Sequence, residues 1–191
     1  MEKTHPFLKK NQFFDDTLLG RKVMNSLINN QQSQVWDNFQ NSQYQLTFSG
    51  HIDDAIDFTL IQKKIESINP KSISFNLEKV SQLNSCGIRN WLLFINQIKS
   101  IPLEFYDLSE SFVEQMNIVP NMVGDNAKCH SFFVPYFCET CDERTTMKYL
   151  ESTWNGEIAS KNCDSCQKPL EFDGIEEEYF SFLKQVKKSA Y

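Results

Sequence analysis

The residues of this 191-residue chain best spaced for chemistry are four cysteines in two C-x-x-C pairs, Cys138 and Cys141 in CETC, Cys163 and Cys166 in CDSC. A gap of two residues lets both sulfurs of one tight turn face a single ion. Two such turns complete the tetrahedral four-thiolate shell that Zn²⁺ prefers. The 21 residues between the pairs stand at or just past the upper end of the usual spacing. Four sulfurs leave no open position for water and no catalytic acid accompanies them, so the expectation is a structural zinc ion. The stretch between the pairs has few apolar residues (mainly Met147, Tyr149, Leu150, Trp154 and Ile158), and so small a unit needs a staple to fold.

A second stretch, QLNSCGIRNW at residues 82–91, sets Asn84, Ser85, Cys86 and Gly87 where an alternating run gives way to a helical one. Small polar residues there suit helix capping, and a serine at such a junction is also open to modification. Cys86 and Cys129 are unpaired and are expected to behave as small buried apolar residues. His130 follows Cys129, but neighbours in a strand point to opposite faces, so the two are poorly placed for a shared site. His51, after Gly50, is expected in a turn. The chain has no Ser/His/Asp set, Walker loop, H-E-x-x-H or G-x-G-x-x-G, and the expectation is that it is not an enzyme.

The elements around these motifs follow from periodicity. Tyr44, Leu46 and Phe48 alternate with polar residues as in a half-buried strand ended by Gly50; Phe58, Ile61, Ile65 and Ile68 then recur at helical steps up to Asn69-Pro70. Ile73, Phe75 and Leu77 give a second strand, and Ile88, Trp91, Leu92, Ile95 and Ile98 a second helix. IPLEFYDL is a third apolar run. Ser111 and Glu114 after it form a capping-box pattern for a short helix, and CHSFFVPYF reads as a last strand with Pro135 near an edge. Such alternation predicts an α/β fold, a mixed sheet with parallel pairs covered by helices. The predicted domains are an N-terminal extension over 1–41 with one helix through LLGRKVMNSLI, the α/β domain over 42–135, and a small zinc ribbon over 136–191. The ribbon closes with a helix whose apolar face is Ile175, Tyr179, Phe182 or Leu183, and Val186.

Charge narrows the partners. The net charge is −6, and the segment from Tyr136 on carries 11 Asp and Glu against 7 Lys and Arg, which disfavours a phosphate backbone. No apolar run approaches the roughly 20 residues that span a bilayer, and MEKTHPFLKKNQFF lacks a signal peptide's apolar stretch, so the expected location is cytoplasmic.

Residues 43 to about 135 resemble the STAS domain of anti-sigma-factor antagonists, stressosome-type regulators and anion-transporter tails. The resemblance is carried by LTFSGHID with its turn Gly50, His51, Ile52, Asp53, by the strand ISFNL, and by NSCGI before an apolar helix, similar to the family's Asp-Ser-Ser-Gly segment. It covers about half the chain and implies a partner-switching module, with Asn84, Ser85, Cys86, Gly87 and Ile88 on the partner-binding surface. In the antagonists the first serine of that segment is phosphorylated by a serine kinase of the histidine-kinase-like ATPase fold. The matching residue here is Ser85, and the implied partners are such a kinase or an anti-sigma-like regulator. Asn84 stands where the antagonists usually have Asp, and Cys86 where they often have a second Ser. Two other readings stand beside this one: a STAS scaffold or subunit of a larger complex without phospho-control, and a zinc-ribbon regulator that binds nucleic acid.

Overall fold

The computed structural model describes residues 12–15 and 22–188, and its architecture is α/β. Seven strands form one mixed sheet in chain order: β1 (Gln12–Asp15), β2 (Lys22–Asn29), β3 (Ser33–Gln40), β4 (Gln43–Ile52), β5 (Ser72–Leu83), β6 (Leu103–Tyr106) and β7 (Ala127–Cys129). The first four pair antiparallel and β4 through β7 pair parallel. Helices α1 (Phe58–Ile68), α2 (Ser85–Gln97) and α3 (Glu110–Ile118) follow β4, β5 and β6, as parallel pairing requires.

Most of the predicted elements are present, with corrections. The helix expected through LLGRKVMNSLI is a strand over Lys22–Asn29; its first residues lie outside the described ones. Here pairing overrides local propensity, because β3 offers a ladder and Asn30 turns the chain by accepting from the N–H groups of Gln32 and Ser33. The sheet therefore begins well before residue 42. Gly50 does not end β4. It sits at φ +81° in a bulged stretch that continues to Ile52, so His51 is a strand residue rather than a turn residue. A Cβ on Gly50 would lie 1.9 Å from the Gln32 carbonyl oxygen.

The start of α3 also differs. Ser109, not Ser111, accepts from the Phe112 N–H as the N-cap, while the Ser111 hydroxyl donates to the Ser81 carbonyl. CHSFFVPYF is two strands divided at His130. Cys129 ends β7, and β8 (Ser131–Cys138) leaves for a second, three-stranded antiparallel sheet with β9 (Glu143–Leu150) and β10 (Glu171–Phe172), in the order β10-β8-β9. The final helix is broken into α4 (Glu176–Tyr179) and α5 (Phe182–Lys188); Tyr179, Phe182, Leu183 and Val186 are buried, but Ile175 is 61 % exposed.

One face of the main sheet makes the core. Tyr44, Leu46 and Phe48 of β4 and Ile73, Phe75 and Leu77 of β5 point under the helices, while Gln43, Gln45, Thr47 and Ser49 occupy the opposite, half-buried face. Trp91 of α2 is the hub. Its ring meets Phe48, Phe75 and Phe112 edge-on at centroid distances of 5.5, 5.5 and 5.4 Å, and its Nε1–H donates to the Met122 carbonyl at 2.6 Å. This core continues without a break through Phe132 and Phe182 to Cys138 and Cys163 in the second sheet.

A charged group lies among the buried residues of β3. Asp37, at an inward position of β3 and 2 % exposed, accepts from the Tyr44 hydroxyl at 2.7 Å and pairs with Lys64 of α1. Burial first and then the Asp37 carboxylate push the Tyr44 phenol above its ordinary range, so the phenol stays a donor. The Lys64 ammonium is half-exposed, which limits what the pair contributes, but losing it leaves a buried carboxylate without a counter-charge. Lys64→Met is expected to lower unfolding stability by about 2 kcal/mol in urea titration, against less than about 0.5 kcal/mol for exposed Lys63→Met. Equal effects from the two would remove Asp37 as the cause.

Candidate metal centre and the start of α2

Each C-x-x-C pair sits on a tight turn. Cys138 ends β8 and Cys141 lies in the turn that leads into β9, so the β8–β9 hairpin presents the first pair at its tip. The second pair is carried by a turn in which the Cys163 N–H donates to the Lys168 carbonyl and the Gln167 N–H to the Cys163 carbonyl, both at 2.8 Å. An Asn162–Pro169 bridge closes it. The two turns share a backbone device: the residue after each second cysteine, Asp142 and Gln167, is left-handed at φ +55° and +59°.

The turns bring the four sulfurs together, all within 4.8 Å of one another. Cys138 and Cys166 are 3.5 Å apart, and Cys141 and Cys163 3.8 Å. A tetrahedral shell with metal–sulfur distances of about 2.3 Å, those of zinc, separates its sulfurs by about 3.8 Å. The donor set therefore fits one metal ion held by Cys138, Cys141, Cys163 and Cys166. Backbone N–H groups of Cys166 and Ser165, aimed at the Cys163 sulfur, pull that thiol down to about 7, toward the thiolate a metal needs. Its neighbour Cys166 foremost pushes the Cys141 thiol up, the mark of sulfurs crowded where no two can easily be charged without a cation.

The aromatic residues of this unit are its core. Tyr149 and Trp154 pack on Phe132 at centroid distances of 6.1 and 5.9 Å, and Trp154 stacks on Phe180 at 4.6 Å. Charged groups add to the contact with the main sheet: Arg144 of β9 reaches Glu110 at the start of α3 and Asp173 before α4, both at 2.5 Å, and Lys148 reaches Asp107 at 2.5 Å. Asp107 also accepts from the Ser131 hydroxyl and the Asn76 amide. These contacts have no sequence motif, since their partners lie 24 to 41 residues apart and only the fold joins them.

The second motif comes together at the end of β4. The Asn84 N–H donates to the Ile52 carbonyl at 3.2 Å, and Asn84 is the N-cap of α2, its side chain accepting from the Gly87 N–H at 2.7 Å. Ser85 is left free of the capping role. Its side chain is exposed, and among the described residues its hydroxyl has no hydrogen-bond partner. Gly87 is buried because α2 starts directly on β4: a Cβ there would lie 1.9 Å from the Ile52 oxygen. Cys86 is exposed rather than buried, and Ile88 is half-buried. Asp53 of the preceding turn is itself buried, accepting from the Ser33 hydroxyl and the Ala55 N–H, both at 3.0 Å. Cys129 is buried as expected, and burial above all pushes its thiol up to about 12, out of reach of nucleophilic use. His130 turns away from it to stack on Tyr106 at 4.3 Å, with its Nε2 3.7 Å from a Glu104 oxygen.

Elemental analysis of the purified protein is expected to find one metal ion per chain, lost in Cys138→Ser and Cys163→Ser. Chelation should lower the melting temperature markedly, because binding to such a site is itself folding free energy. Full stability without metal would exclude the site. Gly87→Ala is expected to cost about 2–4 kcal/mol in denaturant titration, since the obstacle is backbone that has no rotamer to yield. A loss under about 0.5 kcal/mol would mean that α2 is free to shift away from Ile52.

No known protein-family model matches this chain, and no curated protein matches it.

Proposed function

We propose that the chain is a cytoplasmic regulatory adaptor in which a STAS-like α/β domain binds protein partners and a four-cysteine zinc ribbon caps it. Ser85 is the switch. The observation that carries this reading is the state of Ser85: exposed in the first turn of a 13-residue helix, its hydroxyl free while Asn84 does the capping. A serine kept only for capping would be engaged with the helix backbone.

The element order from β4 to α3, strand and helix alternating through parallel pairs, supports the STAS-like resemblance. So does the contact between its two motifs, since the Gly50–Asp53 stretch at the end of β4 and the Asn84–Ile88 segment meet at the Ile52 carbonyl. Asn84, Ser85, Cys86 and half-buried Ile88 then belong to one local surface, and Gly87 lies buried beneath it against Ile52. Asn84 accepts from Gly87 as an aspartate would, so replacement of the family's usual acid keeps the geometry and loses one charge.

A phosphate on Ser85 adds about −1.5 to −2 charges beside first-turn N–H groups that have no intrahelical acceptor. Arg89, one turn further and exposed, lies where it can share that charge. The modified surface would be held locally while a partner fitted to a neutral patch is repelled. Protein partners suit the chain better than nucleic acid, because the segment from Tyr136 on is acidic and its aromatic rings are packed inside. The thiolate set, with no histidine or carboxylate, favours zinc over harder ions.

Incubation with ATP and a lysate of the protein's own cells, followed by mass-spectrometric mapping, is expected to place phosphate on Ser85. Its absence there under every growth state would leave a scaffold without phospho-control. Ser85→Asp is expected to weaken partner capture about tenfold or more while moving the melting temperature by less than about 3 °C, since an acidic residue is tolerated at a helix start.

A further inference from the structure

The second cysteine turn leads straight into the segment that closes the molecule. Five residues after Cys166 comes β10, two residues long and paired with Tyr136 and Phe137 of β8. Then come α4 with four residues and α5 with seven, each far below the roughly 12 residues at which a lone helix becomes marginally stable. They hold their shape only by docking.

The docking is specific and falls on the other body of the fold. The Asn117 side chain at the end of α3 donates to the Tyr179 carbonyl at 2.8 Å and accepts from the Ser181 hydroxyl at 2.7 Å and the Phe182 N–H at 2.8 Å. One side chain thus ties down the whole break between α4 and α5. The Tyr179 hydroxyl donates to the Phe133 carbonyl at 2.6 Å, Phe182 meets Phe132 at 5.3 Å, and α5 packs on β7, the terminal strand of the main sheet. Phe182 is fully buried, and Leu183 and Val186 nearly so.

At its start the segment is held by much less. Residues 154–170 contain no regular strand or helix, only the Asn162–Pro169 bridge. Three things fix them against the β8–β9 hairpin: the meeting of Cys163 and Cys166 with Cys138 and Cys141, the Ala159 backbone between the Tyr136 and Tyr149 hydroxyls, and Trp154 packed on Phe132 and Tyr149. Asp173, three residues before α4, adds a half-exposed ion pair to Arg144.

We propose that occupancy of the four-cysteine site governs the docking of residues 171–188 on α3 and β7, so that loss of the metal uncovers this side of the α/β sheet. The inference rests on reading the four cysteines as a metal site. It makes the metal more than a local staple: the ion holds one end of a strap whose other end covers Phe132, the end of α3 and the last strand of the main sheet. The strap is separable from the helices that carry Ser85, because α1 and α2 pack on β3 to β6 through Trp91, Phe48 and Phe75 and do not need it.

Hydrogen exchange on the zinc-loaded full chain, measured before and after chelation, tests this. Amides of residues 176–186 and of Asn117 to Val119 are expected to exchange roughly tenfold faster or more after chelation, while residues 61–68 and 88–97 stay within about twofold, and added Zn²⁺ restores the original rates. Loss of protection confined to 138–172 would overturn the proposal, and so would an equal loss throughout the chain. In zinc-loaded Asn117→Ala, residues 179–186 should exchange faster with the metal content unchanged; unaltered exchange there would also overturn it. Absence of bound metal before chelation removes the metal reading itself, whereas bound metal without the exchange response removes only the strap.

Discussion

The carbonyl oxygen of Ile52 is where the two halves of the α/β body are joined. It accepts the Asn84 N–H, which stops β5 and starts α2, and it lies so close to Gly87 that no side chain fits between them. Helix α2 is thereby set down at a fixed distance and angle on the end of β4. Everything that depends on α2 inherits this: Trp91 drops among Phe48, Phe75 and Phe112, and Ser85 is carried outward because Asn84 before it takes the cap and Gly87 is pressed against Ile52. A glycine chosen for close approach thus positions a serine two residues away.

The second sheet is built on a different balance. Its edge element β10 has two residues, and nearly half of residues 131–188 lie outside regular strands and helices. Chain entropy of that size is offset by two contributions, the thiolate cluster and burial of Phe132, Tyr149, Trp154, Phe180 and Phe182 against the larger body. Neither acts alone. The core runs from Trp91 to Cys163 as one cluster, so the second sheet and the α/β body share apolar surface rather than hang on a linker.

The parts of this fold legible beforehand were those with dense local signals. Alternation of Tyr44, Leu46 and Phe48, helical spacing from Phe58 to Ile68 and the left-handed stop at Asn69 are each decided within about ten residues. Misreadings fall where the decisive partner is remote. KVMNSLIN carries no strong pattern, and only pairing with β3 makes it a strand. CHSFFVPYF carries one continuous pattern, but two different sheets claim its halves, and its buried positions Cys129 and Phe132 look alike from sequence. Asp37 sits at an inward position of an alternating run, a signal that a counter-charge must come from elsewhere; that Lys64 supplies it is invisible at 27 residues' distance.

By itself, the sequence determined the identity of the donors and the places where the chain must turn. Cysteine pairs two residues apart can do little but face one point, and Asn-Ser-Cys-Gly between a strand and a helix can do little but begin that helix. Which atoms remain available was left to the tertiary structure. Only the assembled fold decides that Asn84 rather than Ser85 takes the cap, that Cys86 faces solvent while Cys129 is sealed, and that four sulfurs 22 to 28 residues apart across the turns close to within one metal shell. The reason is physical: a residue's type fixes what it can bond, and whether the bond is made depends on which backbone arrives beside it. Contacts between distant segments are settled by packing of the whole chain, not by its local pattern.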